Sequence, residues 1–303
     1  MTESIQNENS RYWTEYWNET VSHGRKGGPM QARFWDNRAA GQFAKKPTAG
    51  REEDRLAGVL ELIGQTGLEI EGATVLDIGA GTGALAIPLA ERGAKVTAVD
   101  FSAEMLKHLS KRAAEADVEI ERTVYQSWDE VDLEAEGFRK NFDLVIASMT
   151  PAVQSPETFN LMLEAAKGVC YYGGWIDRRW DPAYNELYRM LFNEEFRQTS
   201  QGFSYPFMYL YMNGYRPIVR IRQEVWKGDE TVEEMVDTVA GFFSTTKEID
   251  EPMKARMREF FATRVTDGRY SSQTTATTGT MVWDMRRTDE SEAAISLIPD
   301  RER

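Results

Sequence analysis

The sequence has few of the residues that build metal sites, disulfides or histidine-based active sites. Its 303 residues include one cysteine, Cys170, and two histidines, His23 and His108. A single thiol excludes an intramolecular disulfide framework and a thiolate metal cluster, and it fits a reducing compartment. Two histidines leave little scope for imidazole acid–base chemistry or a histidine metal site. We therefore expect no metal cofactor.

Long apolar runs and a basic surplus are also lacking. No stretch is long and apolar enough for a membrane span, and the N-terminal MTESIQNENS lacks the apolar region of a signal peptide. These features predict a cytoplasmic protein without a membrane partner. The chain has 36 Lys+Arg against 49 Asp+Glu, a net charge of −13. This balance argues against a nucleic-acid partner, because phosphate backbones require a basic face.

The first fifty residues differ from the rest of the chain. They hold 7 basic and 5 acidic residues, whereas residues 51–150 hold 10 and 20. Tyr12, Trp13, Tyr16 and Trp17 form one stripe of a predicted helix. A glycine-rich loop follows from His23, and a second short helix is predicted over 30–43. We interpret residues 1–50 as an aromatic helical lid.

From residue 51 onward, predicted helices alternate with short apolar strands. Alternation at this spacing predicts a mostly parallel sheet with helices on both faces, over residues 51–198. The predicted strands are 73–78, 95–100, 118–125, 142–148 and 168–176, and the predicted helices between and around them include 51–63, 102–115 and 155–167.

The last third of the chain breaks this alternation. Residues 199–287 are predicted to form a substrate-side insertion and the last strands of the same domain, and 288–303 a tail. Aromatic residues at every second position from Phe203 to Tyr211 predict an extended segment covered on both sides. Strands at 215–226 and 277–285 are expected to flank helices at 231–243 and 252–261, and a further helix is expected over 181–197.

The most informative stretch is a glycine-rich turn between a strand and a helix. It reads Asp77-Ile78-Gly79-Ala80-Gly81-Thr82-Gly83. Glycines at such a turn let a ligand approach the backbone closely, and the following helix N-terminus exposes N–H donors. Seventeen residues later, Asp100 ends the next strand, where a carboxylate can accept hydrogen bonds from ribose hydroxyls. The pattern fits a nucleoside-containing cofactor.

Asp77 separates two cofactor classes. A nicotinamide dinucleotide would bring its pyrophosphate to this turn, where an acidic side chain repels it. S-adenosylmethionine has no phosphate, and it carries an ammonium and a sulfonium that an acid favours. The sequence therefore favours S-adenosylmethionine over NAD or NADP.

Residues 75–83 and 96–100, with the strand Phe142–Ile146, resemble the class I S-adenosylmethionine-dependent methyltransferases. The resemblance covers about residues 50–180 and implies a Rossmann-like fold with a seven-stranded, mostly parallel sheet. It implies that the turn lies against the methionine part of the cofactor and that Asp100 binds the ribose. The cofactor-binding residues it implies are Asp77, Gly79, Ala80, Gly81, Gly83, Asp100, Phe101, Met105, Ser127, Trp128 and Met149.

Methyl transfer from a sulfonium is an in-line displacement that depends chiefly on alignment and exclusion of water. No catalytic residue stands out; His23 and Thr150 are the candidates. We expect a small-molecule methyl acceptor, apolar or cationic in an aromatic pocket, and a monomer or homodimer. The alternatives are an NAD(P)-dependent oxidoreductase, a protein methyltransferase, and a cofactor-binding regulator without catalysis.

Overall fold

The computed structural model describes residues 2–22, 49–196, 202–244 and 246–288. The first half of the described chain is an alternation of strands and helices, preceded by two helices. In chain order these elements are α1 (Thr2–Ser22), α2 (Ala49–Gly64), β1 (Thr74–Ile78), α3 (Ala86–Ala90), β2 (Lys95–Asp100), α4 (Ala103–Glu115), β3 (Arg122–Tyr125), β4 (Phe142–Ser148) and α5 (Pro156–Ala165).

The second half has longer strands and helices that follow one another without an intervening strand. Its elements are β5 (Ala166–Arg179), α6 (Pro182–Phe192), α7 (Ser204–Met212), β6 (Ile218–Thr231), α8 (Val232–Phe243), α9 (Glu251–Ala262) and β7 (Arg269–Asp284).

The described strands form one seven-stranded sheet in the order β3-β2-β1-β4-β5-β7-β6. Pairing is parallel from β3 to β5, and β7 runs antiparallel to both β5 and β6. The predicted mixed α/β, seven-stranded, mostly parallel sheet is therefore confirmed. Buried side chains pack on both faces of the parallel strands, which explains why these strands read as nearly continuous apolar runs.

The three strands β5, β7 and β6 extend well beyond the parallel part of the sheet. Ser148, the last residue of β4, pairs with Gly173, and β5 continues for six more residues to Arg179. At about 3.3 Å per residue this extension is roughly 20 Å long. We call this extension the ribbon. It comprises β5 from Gly174 to Arg179, β7 from Arg269 to Gly279 and β6 from Ile221 to Thr231.

A separate hydrophobic cluster lies on the helices that follow the ribbon strands. We call it the cap cluster; its buried members on α6, α8 and α9 are Ala183, Tyr184, Leu187, Met235, Val236, Val239, Ala240, Phe243, Met257, Phe260 and Phe261. A capping box begins α8, in which Thr231 and Glu234 each bond the other's backbone N–H. The main sheet and the ribbon end therefore have different cores.

The prediction of an extended segment from Phe203 to Tyr211 is wrong, because this segment forms helix α7. Aromatics at every second position also supply aromatics at every fourth, which is helical spacing. Phe203, Phe207 and Tyr211 stack along one side at 6.0 and 6.1 Å between ring centroids. Tyr205 and Tyr209 form a second stripe that contacts Trp17 of α1.

Several predicted boundaries also differ. The strand predicted at 118–125 is confined to β3, and β5 extends past the predicted end at 176. The N-terminal aromatic stripe is helical as predicted, and the buried Trp17 donates its Nε1 hydrogen to the carbonyl of Gln154 at 2.6 Å. The predicted loop from His23 and the predicted helix at 30–43 lie outside the described residues.

Candidate functional site

A cavity of about 740 Å³, counted with its open mouth, lies at the carboxyl ends of β1, β2 and β4. Open α/β sheets bind ligands at this edge, because the turns that leave the strands there carry the exposed functional groups. The residues that line the cavity are Arg55, Asp77, Gly79, Ala80, Gly81, Thr82, Ala84, Leu85, Asp100, Phe101, Met105, Ser148, Met149, Thr150 and Pro151.

The glycine turn after β1 forms one wall of this cavity. Gly79 has a φ of +68°, and a Cβ there would lie 1.9 Å from the hydroxyl oxygen of Thr150. Gly81 has a φ of +56°, but a Cβ there would meet nothing within 4 Å. Gly79 is therefore required by the protein's own packing, whereas Gly81 borders open space in which a ligand can approach the backbone.

Asp100 closes the same wall from β2. One carboxylate oxygen accepts a hydrogen bond from the Gly81 N–H and the other from the Ser102 N–H, both at 2.9 Å. Ser102 in turn caps α4 by accepting from the Met105 N–H. The buried Asp100 carboxylate thus braces the glycine turn and also lines the cavity.

Asp77 is a buried carboxyl group at the base of the cavity. Burial raises the pKa of Asp77 to about 7, the nearby Arg55 guanidinium opposes the rise, and the Asp100 charge adds to it. Desolvation disfavours the ionised form, and a cation placed beside the carboxylate would restore it. The site can therefore stabilise a ligand cation at this position.

Arg55 is a cavity residue that the sequence analysis missed. It lies on α2, and its Nη2 donates a hydrogen bond to the Ser148 hydroxyl at the end of β4 at 3.0 Å. The two residues are 93 positions apart, so no local pattern could have predicted their contact. The cavity therefore offers a guanidinium as well as two carboxylates.

Most of the residues predicted to bind the cofactor, and the candidate Thr150, line this cavity. Gly83, Ser127 and Trp128 do not. A Cβ on Gly83 would contact Ile87 at 2.9 Å, and the Ser127 hydroxyl bonds the carboxylate of Asp129. Trp128 is buried in the core, where its Nε1 donates to the Thr158 carbonyl at 2.9 Å. His23 lies outside the described residues.

The remaining lining residues that sequence reasoning missed are Thr82, Ala84, Leu85, Ser148 and Pro151. All of them lie within two positions of predicted residues, at the glycine turn or at the end of β4. The motif indicates which segments of the sequence reach the site, but it does not single out each lining residue.

Among the described helices, none is both long enough and apolar enough to cross a bilayer.

Comparison with known proteins shows which families part of this chain is similar to. Residues 75–174 match the family model described as a methyltransferase domain. An uncharacterized protein of Mycobacterium tuberculosis is 35% identical over 123 residues, which cover 40% of this chain and 42% of that protein. The ubiquinone biosynthesis O-methyltransferase of Xanthomonas euvesicatoria is 36% identical over 113 residues, 37% of this chain and 42% of the relative. The match thus spans about two fifths of these relatives.

Among solved structures, the magnesium protoporphyrin IX methyltransferase of Synechocystis, crystallised with S-adenosylhomocysteine, aligns with a TM-score of 0.44 at 15% identity. That alignment covers 89% of this chain and 99% of the other. The sheet order and the glycine turn define an α/β nucleotide-type domain. Together with the family match, they make residues 75–174 similar to a methyltransferase domain, in agreement with the motif. The class I methyltransferases that the motif resembles use S-adenosylmethionine as their cofactor.

Proposed function

We propose that this chain is a methyltransferase that binds S-adenosylmethionine in the cavity and transfers its methyl group to a small molecule. One observation carries the proposal: a single cavity is lined by a buried, desolvated carboxyl group, Asp77, and by a guanidinium, Arg55. The amino-acid end of the cofactor carries an ammonium and a carboxylate. The ammonium can therefore pair with Asp77 and the carboxylate with Arg55.

The remaining lining residues fit the other parts of the cofactor. The open space at Gly81 allows close approach to the backbone, and Asp100 would accept hydrogen bonds from ribose hydroxyls. Each Asp100 oxygen already accepts one backbone N–H, and a carboxylate oxygen can accept a second hydrogen bond. Phe101 and Met105 would contact the adenine from the β2–α4 side of the cavity.

The same charges oppose a dinucleotide. A pyrophosphate at the glycine turn would face Asp77 and Asp100 within one cavity, and the pKa of Asp77 would rise further with an anion beside it. This repulsion supports a phosphate-free cofactor. We therefore retain the oxidoreductase only as the outcome that would overturn the proposal.

The chemistry proposed for the site is alignment. The cofactor supplies an electrophilic methyl group, and the protein holds the acceptor in line with it and excludes water. Met149 and Thr150, at the end of β4, would border the reacting end. The described cavity wall contains no histidine, and His23 stays a candidate base for an acceptor that must lose a proton.

A small-molecule acceptor suits the acidic chain better than a nucleic acid does, although one relative is named as a ribosomal RNA methyltransferase. A protein acceptor is the second candidate. The lid role of residues 1–50, the substrate-side role of 199–287, a cytoplasmic location and a monomeric or homodimeric state belong to the same proposal.

Isothermal titration calorimetry tests the cofactor directly. We expect S-adenosylmethionine and S-adenosylhomocysteine to bind with one site per chain, and NAD and NADP to give no saturable heat. Binding of NAD or NADP without any response to the two adenosyl compounds would overturn the proposal. Binding without turnover on a metabolite or protein library would favour a regulator.

A further inference from the structure

The ribbon carries an arginine held among tryptophan rings. The guanidinium carbon of Arg178 lies 3.7 Å from the ring centroid of Trp175, 4.5 Å from that of Trp180 and 5.3 Å from that of Trp226. Trp175 and Trp226 also contact each other edge to face at 5.4 Å. Stacking of this kind fixes the plane of a guanidinium, so that its N–H edge is oriented before a ligand arrives.

The strand register places this cluster on the same face of the sheet as the Ser148 side chain, which lines the cavity. Ser148, which lines the cavity, pairs with Gly173, and a Cβ on Gly173 would contact the Ser148 hydroxyl at 3.5 Å. Trp175 lies two residues further along β5, hence on the same face. A bulge after Trp175 keeps Arg178 on that face, where it pairs with Ala276.

The strand register also gives the distance along the sheet from the cavity to Arg178. Gly173 pairs with Thr280 of β7, and Arg178 pairs with Ala276 of the same strand. Four residues of strand at about 3.3 Å each separate the two rows by roughly 13 Å. A molecule that reaches from the cavity to Arg178 must therefore be elongated, with the reacting atom near Ser148 and a second group near the tryptophans.

Charge on this face differs in sign from the chain as a whole. Arg222 pairs with Thr278 in the row of Trp175, and Arg220 pairs with Thr280 one row nearer the cavity. Arg220 is bound to Glu61 of α2 at 2.6 Å, and Glu224 accepts the Trp226 Nε1 hydrogen at 3.0 Å. Within the ribbon face and its first row toward the cavity, Arg178, Arg220 and Arg222 outnumber these two carboxylates, in a chain of net charge −13.

The far end of the cluster is closed by apolar rings and contains an unmatched donor. Trp180 packs against Tyr184 and Phe242 at 4.6 Å between centroids. Its buried Nε1 has no hydrogen-bond acceptor among the residues that the structure describes. A buried donor without an acceptor among these residues costs free energy in the folded protein.

We infer that the ribbon face formed by Trp175, Arg178 and Trp226 binds the methyl acceptor, and that the acceptor is an elongated small molecule with a carboxylate held by Arg178. This inference rests on the proposed methyltransferase function. A guanidinium has five N–H donors, so it can bind a carboxylate by two of them while it keeps bonds within the protein. A cationic acceptor, which the aromatic residues alone would favour, would meet the charge of Arg178 on these ring faces.

The test compares two probes of equal shape and different charge, biphenyl-4-carboxylate and biphenyl-4-carboxamide. Each is titrated into the protein saturated with S-adenosylhomocysteine, with binding read from tryptophan fluorescence. We expect the carboxylate to bind at least about tenfold more tightly, because a bidentate charged pair replaces a neutral hydrogen bond. R178Q should remove that preference.

Arg179→Gln is the matched control, because Arg179 is the exposed neighbour on the opposite face of β5 and pairs with Asp177. It should leave the preference unchanged. Equal binding of the two probes, no binding of the carboxylate, or a preference that survives in R178Q would overturn the inference. Should R178Q fail to fold, R178M serves instead: it keeps an unbranched apolar side chain but lacks the charge, and a preference that survives in R178M would also overturn the inference.

Calorimetry with S-adenosylhomocysteine separates this inference from the proposed function. Both variants should bind it as the wild type does, since neither position lines the cavity. If the wild type does not bind S-adenosylhomocysteine, the proposed function fails. If it binds and only the carboxylate preference is absent, the acceptor assignment alone fails.

Discussion

The parallel half of the sheet and the ribbon half differ in where their strands end and in the core that they carry. In the parallel half, short buried strands end at one edge, and the turns that leave them bring Asp77, Gly81 and Asp100 to one cavity. In the ribbon half, long strands continue past that edge and carry a second core, the cap cluster. Under the proposed function, the first half would hold the cofactor and the second would present a surface beside it, so we expect changes in one half to leave the other's property intact.

The largest expected effect lies in the cap cluster. Phe243→Ala removes a fully buried ring that contacts Tyr184, Tyr188 and Phe192. We expect the free energy of unfolding to fall by about 3–5 kcal/mol, the usual cost of such a cavity. The dissociation constant for S-adenosylhomocysteine should stay within about twofold of wild type. Chemical denaturation and calorimetry measure the two quantities, and a parallel loss of both would show that the halves are one unit.

The next effect concerns Asp77: its replacement should raise the stability of the protein but weaken the binding of the cofactor. With its pKa raised from 3.8 to about 7, the folded protein binds a proton here between pH 4 and 7 that the unfolded chain releases. The free energy of unfolding therefore falls as the pH rises through that window, because Asp77 ionises first in the unfolded chain; the whole fall is at most about 4 kcal/mol.

Asp77→Asn should accordingly raise the melting temperature at pH 8 and change it little at pH 4. It should also weaken S-adenosylhomocysteine binding at pH 8 by roughly 30- to 100-fold, because the ligand ammonium loses its partner. Glu61→Gln, at an exposed ion pair outside the cavity, is the control for loss of one negative charge. A variant that loses both stability and binding at pH 8 would contradict the desolvated state of Asp77.

A smaller effect tests the tight packing of the glycine turn. Gly79→Ala introduces a Cβ that collides with Thr150 at a positive φ, and we expect about 2–3 kcal/mol of lost stability. Adding Thr150→Ala should recover part of this loss, because the colliding hydroxyl is gone, while the backbone strain stays. Urea denaturation of the two variants gives the comparison; no recovery in the double variant would mean that the clash is not the cause.

The smallest effect is at the start of α8, at the ribbon end. Thr231→Ala removes the side-chain half of the capping box with Glu234. We expect about 1 kcal/mol of lost stability and unchanged cofactor affinity. Thr231→Ser, which keeps the hydroxyl, should lose much less, and equal losses in the two variants would remove the cap as the explanation.

The two halves also differ in how much the sequence predicts. The strands β1, β2 and β4 and the glycine turn were predicted correctly, because buried parallel strands are short apolar runs and the turn chemistry is local. Helix α7 was predicted as an extended segment. Aromatic residues at every second position also fall at every fourth position, so the pattern fits a helix as well as a strand when both sides of the segment are buried.

Within the candidate site, the residues missed are those supplied by tertiary structure. Arg55 reaches Ser148 from a helix far away in sequence, and the packing that buries Trp128 beside Thr158 is not local either. The register that aligns Arg178 with the cavity depends on a bulge in β5. A bulge of one residue leaves no clear signal in a run that already contains two glycines.

The pH dependence of S-adenosylhomocysteine binding to the wild-type protein tests the central claim most directly. If the cavity binds the ligand ammonium beside an Asp77 whose pKa is about 7, protonation of Asp77 competes with the ligand. Calorimetry should then show affinity falling roughly five- to tenfold from pH 7.5 to pH 6.0 in the wild type, with little change in Asp77→Asn. The same affinity at both pH values in the wild type, or an equal fall in Asp77→Asn, would contradict the account.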